Sequence, residues 1–107
     1  MFGTLVHGGA GGVCTTANVY PELVCSIYEK FVAGDLAGAL EAQYRLNPVR
    51  LSMDLASFPV ATKDMANMMG LDVGVPFLPS LPSEQKVVDA MRAEMVRAGL
   101  LAGAPEA

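Results

Sequence analysis

Gly8-Gly9-Ala10-Gly11-Gly12-Val13-Cys14-Thr15-Thr16-Ala17-Asn18-Val19-Tyr20-Pro21 is the stretch on which the reading of this 107-residue chain turns. It reads as a glycine-rich turn, one short buried strand over residues 12–16, and a polar turn into a helix opened by Pro21. No second convincing strand follows. A strand carries N–H and C=O groups along both edges, and burying them without ladder partners is costly. The strand therefore needs neighbours from another molecule, or the chain is the tail of something larger.

Outward from this stretch the pattern is helical. Residues 1–7 read as the last turns of a helix closed by Gly8 and Gly9. Leu23, Val24, Ile27, Tyr28 and Phe31 recur at helical spacing. Pro21 suits the first turn of that helix, and Gly34 suits the left-handed position just past its end. Asp35 is placed to cap a second helix carrying Leu36, Leu40 and Tyr44. Pro48 should kink or split that helix, because proline removes one ladder bond and crowds the preceding turn. Pro59 opens a third helix through Met65, Met68 and Met69, stopped by Gly70. The segment Pro76-Phe77-Leu78-Pro79-Ser80-Leu81-Pro82 reads as extended chain laid across a surface. Ser83 is placed to cap a final helix with Val87, Val88, Met91 and Met95 inward, ending at Gly99. Residues 102–107 are expected to fray.

Composition bounds the function. Apolar residues make up 52% of the chain, yet no apolar run approaches the roughly 20 residues that span a bilayer. Residues 1–7 have no basic start and too short an apolar core for a signal peptide. These features predict a soluble, cytoplasmic chain with no membrane partner. Its apolar surface exceeds what its size can hide, which points to a partner surface. The net charge is −4 and the seven basic residues are scattered, so the basic stripe that nucleic-acid binding needs is missing. Cys14 and Cys25 do not form a C-x-x-C pair, and they are expected to be buried, reduced thiols.

No residue set specifies a reaction by itself. The glycines at 8, 9, 11 and 12 do not fit dinucleotide or P-loop spacings, and a tight turn entering a crowded strand explains them. His7 is the only histidine and reads as a surface or turn residue, which leaves no metal site. The methionines from Met53 to Met95 read as adaptable core filler. Glu22, Glu29, Asp35 and Glu41 read as solvating charge. A Schiff-base lysine must be desolvated or set beside another cation to be nucleophilic at neutral pH. Lys30 and Lys86 read as solvent-facing, and Lys63 as a structural group that pairs with or caps a loop. Thr15 and Thr16, at the end of the strand, are the polar groups best placed to touch a ligand.

The stretch Gly11-Gly12-Val13-Cys14-Thr15-Thr16-Ala17-Asn18-Val19 resembles the eighth barrel strand of the dihydrodipicolinate synthase / N-acetylneuraminate lyase family. Further features match in order: Ala33-Gly34-Asp35-Leu36-Ala37-Gly38-Ala39, then Pro59-Val60-Ala61-Thr62-Lys63 with Gly70, then Pro76-Phe77-Leu78-Pro79. Val96-Arg97-Ala98-Gly99-Leu100-Leu101 also resembles that family's C-terminal end. The resemblance implies an α/β lineage: the C-terminal fragment of a TIM barrel, supplying its last strand and helix plus a helical extension. By itself the chain would be mostly α-helical with one short strand. Residues 1–34 would be the last βα unit and residues 35–107 the helical extension.

Members of that family are class I aldolases or lyases, often oligomeric. They hold pyruvate or a related 2-keto acid as a Schiff base on a sixth-strand lysine, with a tyrosine as proton shuttle and no cofactor. The resemblance implies that both catalytic residues lie before Met1, since Lys63 matches a helix lysine of the family and not the catalytic one. It implies substrate-binding positions at Val13, which lines the Schiff-base pocket, and at Thr15. Gly74 departs from the arginine that many members carry before Pro76.

The leading expectation is thus a C-terminal piece of such a lyase, from a truncated frame, split gene or mis-called start, inactive alone. It would self-associate or join a complementing barrel segment. A non-enzymatic helical interaction module derived from that family is the alternative. An anion-binding protein that uses the glycine turn at a helix start is the third reading.

Overall fold

The computed structural model describes residues 1–103. Five helices dominate: α1 (Phe2–Val6), α2 (Pro21–Val32), α3 (Leu36–Ser52), α4 (Val60–Met68) and α5 (Gln85–Arg97), with short 3₁₀ turns at Thr15–Asn18 and Met53–Leu55. Among the described residues there is no strand, which corrects the expectation for residues 12–16. Cys14 is extended, but the chain then coils into the 3₁₀ turn, where Val19 N–H donates to the Thr16 carbonyl at 3.2 Å. Extended backbone becomes a strand only against a ladder partner, and no described segment offers one. The chain divides into two compact units, Met1–Asn47 and Pro48–Ala107.

In the first unit α1 packs on α2, with Phe2 and Phe31 edge to face and their centroids 6.2 Å apart. Leu5, Val19, Val24, Ile27, Ala39, Ala42 and Leu46 are buried. No side chain caps α1, but Phe2 N–H donates across to Gln43 Oε1 of α3 at 2.9 Å. That supplies a partner for one of the donors a helix start leaves unpaired. Helix α2 starts at Pro21, as its fixed φ allows. It ends where Gly34 turns left-handed (φ 83°), so that Gly34 N–H reaches the Phe31 carbonyl and Asp35 N–H the Lys30 carbonyl. The Asp35 carboxylate then caps α3, accepting from Gly38 N–H at 2.9 Å.

The buried side of α3 is not the expected one. Leu36 and Tyr44 are 53% and 63% exposed, whereas the small residues Ala39 and Ala42 face inward. Tyr28, one of the apolar positions at helical spacing along α2, is exposed as well. Apolar periodicity locates a helix, but several apolar rows share its surface, and packing selects one of them. Nor is α3 split at Pro48; it runs as one helix to Ser52. Proline deletes a single ladder bond, and Ser52 Oγ donates to the Pro48 carbonyl at 2.7 Å in the following turn.

The second unit is built on methionine. Met53, Met65, Met91 and Met95 are buried with Val49, Val60, Ala61 and Ala66, where α4, α5 and the Met53–Leu55 turn meet. Unbranched thioethers fill irregular gaps between small residues, and each such side chain contributes about 1.5–3 kcal/mol on full burial. Helix α4 begins after Pro59 and closes at Gly70, where Leu71 N–H donates to the Ala66 carbonyl at 3.1 Å. Helix α5 closes at Gly99 through the same bonding pattern, Leu100 N–H to Met95 carbonyl. Among the described residues no helix is long and apolar enough to cross a membrane.

Two expectations fail in this unit. Ser83 does not cap α5, whose N-cap is Glu84 with no side-chain bond. Its hydroxyl donates instead to Asp64 Oδ2 of α4 at 2.5 Å. Nor does the proline-rich segment lie down on a surface, since Phe77 and Leu78 are 89% and 82% exposed. The fraying expected near the C-terminus lies, from residue 104 on, outside the described residues.

Candidate functional site

The glycine-rich stretch enters the structure at the wrong end of a helix for holding an anion. Gly8 (φ 86°) and Gly9 close α1: Gly8 N–H donates to the Leu5 carbonyl and Gly9 N–H to the Thr4 carbonyl. A side chain at Gly9 has no room, because a Cβ would stand 2.8 Å from the Thr4 carbonyl oxygen. A helix C-terminus carries partial negative charge, which repels an anion. The glycine turn therefore serves chain reversal, and the phosphate-cradle reading lacks the helix start it required.

Val13 and Thr15, the two substrate positions implied by resemblance, lie two residues apart on one irregular segment. Val13 is fully exposed. Thr15 is half-buried at the head of the 3₁₀ turn, and its carbonyl accepts from Asn18 Nδ2 at 3.0 Å. Thr16 is 4% exposed and belongs to the core, so it is not a ligand contact of this surface. Among the described residues no hydrogen bond reaches the backbone of residues 10–13. Nearby, the half-buried Cys14 thiol lies 3.9 Å from the Met1 thioether. Cys25 is exposed on α2 rather than buried, and both thiols are free. Tyr20, which follows the turn, has its phenol pushed above 10 by burial, which penalises the phenolate.

No lysine sits in a desolvated pocket. Lys30 is exposed on α2, and Lys86 pairs with Glu84 at 2.7 Å on the surface. Lys63 has the loop role expected of it: its Nζ donates to the Val73 carbonyl at 3.0 Å. His7 is exposed at the end of α1. Among the described residues no cluster of three or more His, Cys, Asp or Glu side chains could hold a metal ion. A half-open, mainly apolar cleft of about 300 Å³ lies in the second unit, lined by Pro48, Leu51, Ser52, Leu55 and Glu94. Its two polar side chains are already engaged: the Glu94 carboxylate pairs with Arg97 at 2.9 Å, and the Ser52 hydroxyl donates to the Pro48 carbonyl at 2.7 Å.

The best-built polar constellation escaped the sequence reading. Beside Lys63 and Asp64, Asn67 of α4 grips the following loop at two points. Its Nδ2 donates to the Gly74 carbonyl at 3.0 Å and its Oδ1 accepts from Val73 N–H at 2.8 Å. The loop presents these groups because Asp72 and Gly74 both take left-handed backbone (φ 48° and 72°). An arginine at 74 would meet a cost of about 1–2 kcal/mol for that conformation, which makes glycine the fitting residue here. An asparagine in the last turn of a helix that ends in glycine was the one available signal. This constellation is structural: each of its three side chains spends a hydrogen bond on pinning the loop.

Comparison with known proteins gives these positions their context. The model of the dihydrodipicolinate synthetase family matches residues 1–98. A 4-hydroxy-tetrahydrodipicolinate synthase of Parvibaculum lavamentivorans is 40% identical over 99 residues, covering 89% of this chain and 33% of that protein. The enzyme of the same name from Methanopyrus kandleri is 31% identical, over 91% of this chain and 32% of its own length. Among solved structures, dihydrodipicolinate synthase from Thermotoga maritima superposes with a TM-score of 0.85 at 27% identity, over 94% of this chain and 34% of that one. The chain spans about a third of the length of the relatives it matches. With a family match over nearly all of its residues and the same course of backbone, this chain belongs to the dihydrodipicolinate synthetase family.

Proposed function

We propose that the chain is a C-terminal segment of the Schiff-base lyase scaffold and is catalytically incomplete alone. One observation carries the reading: none of its three lysines is placed to form an imine. Lys30 and Lys86 are in water, and the Lys63 ammonium donates to a loop carbonyl. An imine-forming amine must be unprotonated and shielded, which burial or a neighbouring cation achieves. In the complete lineage the substrate is pyruvate or a related 2-keto acid, and the chemistry needs no cofactor beyond the lysine amine. Residues 1–34 act there as the last βα unit and residues 35–107 as a helical extension, in a cytoplasmic oligomer. Val13 and Thr15 contribute the wall of the pocket. Borohydride trapping with pyruvate, read by mass spectrometry, should give no adduct. A covalent adduct on Lys30, Lys63 or Lys86 overturns the reading.

The partner follows from the unpaired backbone of residues 10–13 and from Val13, whose side chain is wholly in solvent. A free, extendable edge pairs with other strands where it can. The chain is expected to self-associate, or to join a complementing barrel segment whose strands receive this one. Size-exclusion chromatography that finds a well-behaved monomer at all concentrations counts against this.

A second reading, a non-enzymatic helical interaction module, is favoured by one feature. The second unit has its own methionine core and a loop pinned by its own side chains. A single cooperative unfolding transition of the isolated chain supports the module, and a broad, non-cooperative one supports the dependent segment.

A further inference from the structure

We draw no further inference here: the strongest candidate, the apolar tip formed by Phe77, Leu78 and Leu81 on the loop pinned to α4, is an unpartnered surface patch, and nothing in the structure shows what covers it.

Discussion

Residues 10–13 and residues 71–83 are both irregular and rich in helix breakers, but their own chain treats them differently. The second segment is tied to α4 at Val73, Gly74 and Ser83 by Lys63, Asn67 and Asp64. The first has no hydrogen bond to its backbone among the described residues, and Val13 stands in solvent. Backbone polar groups in folded proteins are paired with protein or with water. The pinned loop finds protein partners within its unit, so its conformation is complete as it stands. The glycine-rich segment finds no such partner among the described residues. Self-sufficiency thus varies along one short chain.

The firmest way to challenge this contrast is to remove the base on which the pinned loop stands. Met65 is fully buried on α4, the helix that bears all three pegs. Met65→Ala should destabilise the second unit by about 2–5 kcal/mol, the range for a large-to-small change in a packed site. Urea unfolding measures it, and a loss under about 1 kcal/mol would mean that the methionine core is not well packed.

Cutting the tether itself should do less. Asn67→Ala removes two hydrogen bonds near the surface and should cost about 1–2 kcal/mol. Its sharper readout is amide exchange: Val73 N–H should lose protection in the variant, while Val13 N–H should exchange freely with or without the substitution. Protection of the Val13 amide in the isolated, dilute chain would erase the contrast between the two segments.

The phenol of Tyr20 tests how firmly the first segment is anchored at its far end. Burial raises its folded pKa above the unfolded value of 10. The folded state therefore favours the neutral phenol, and this contribution is complete below pH 10. It is lost as pH rises through the folded pKa, because the unfolded chain then releases its proton more readily. Ultraviolet titration of the phenolate should show a late component that vanishes in Tyr20→Phe.

The smallest effect belongs to Val13. Val13→Ala should change the stability of the isolated chain by less than about 0.5 kcal/mol, as for surface positions without special contacts. The same variant should weaken self-association if this segment is the pairing edge. A large loss of monomer stability would mean that Val13 packs against its own chain.

What could be read from the residues was local. Gly8, Gly34, Gly70 and Gly99 mark helix ends because a left-handed residue there lets the next amides reach back to the last carbonyls. The Asp35 cap and the Pro21 start depend on neighbours within one turn, and both are present. The loop role of Lys63 followed from its place near a helix start, and it holds. Apart from Pro48, which α3 absorbs locally, the errors at Ser83, at residues 12–16 and at Leu36 and Tyr44 involve partners distant in sequence or absent from it. Ser83 has a capping residue's composition and position, but Asp64, nineteen residues away, accepts its hydroxyl. Residues 12–16 have a strand's composition without a strand's neighbour. Leu36 and Tyr44 form a plausible apolar row, yet Ala39 and Ala42 are the residues that packing buries.

The amino-acid sequence alone therefore determined the helix ends marked by glycine and the starts at Pro21 and Asp35, because capping and backbone conformation act over a few residues, and through its ordered motifs it identified the family. Tertiary structure alone decided which faces are buried, which loop is pinned and which segment stays unpaired. Those outcomes depend on groups far apart in the chain competing for the same hydrogen bonds and the same buried space.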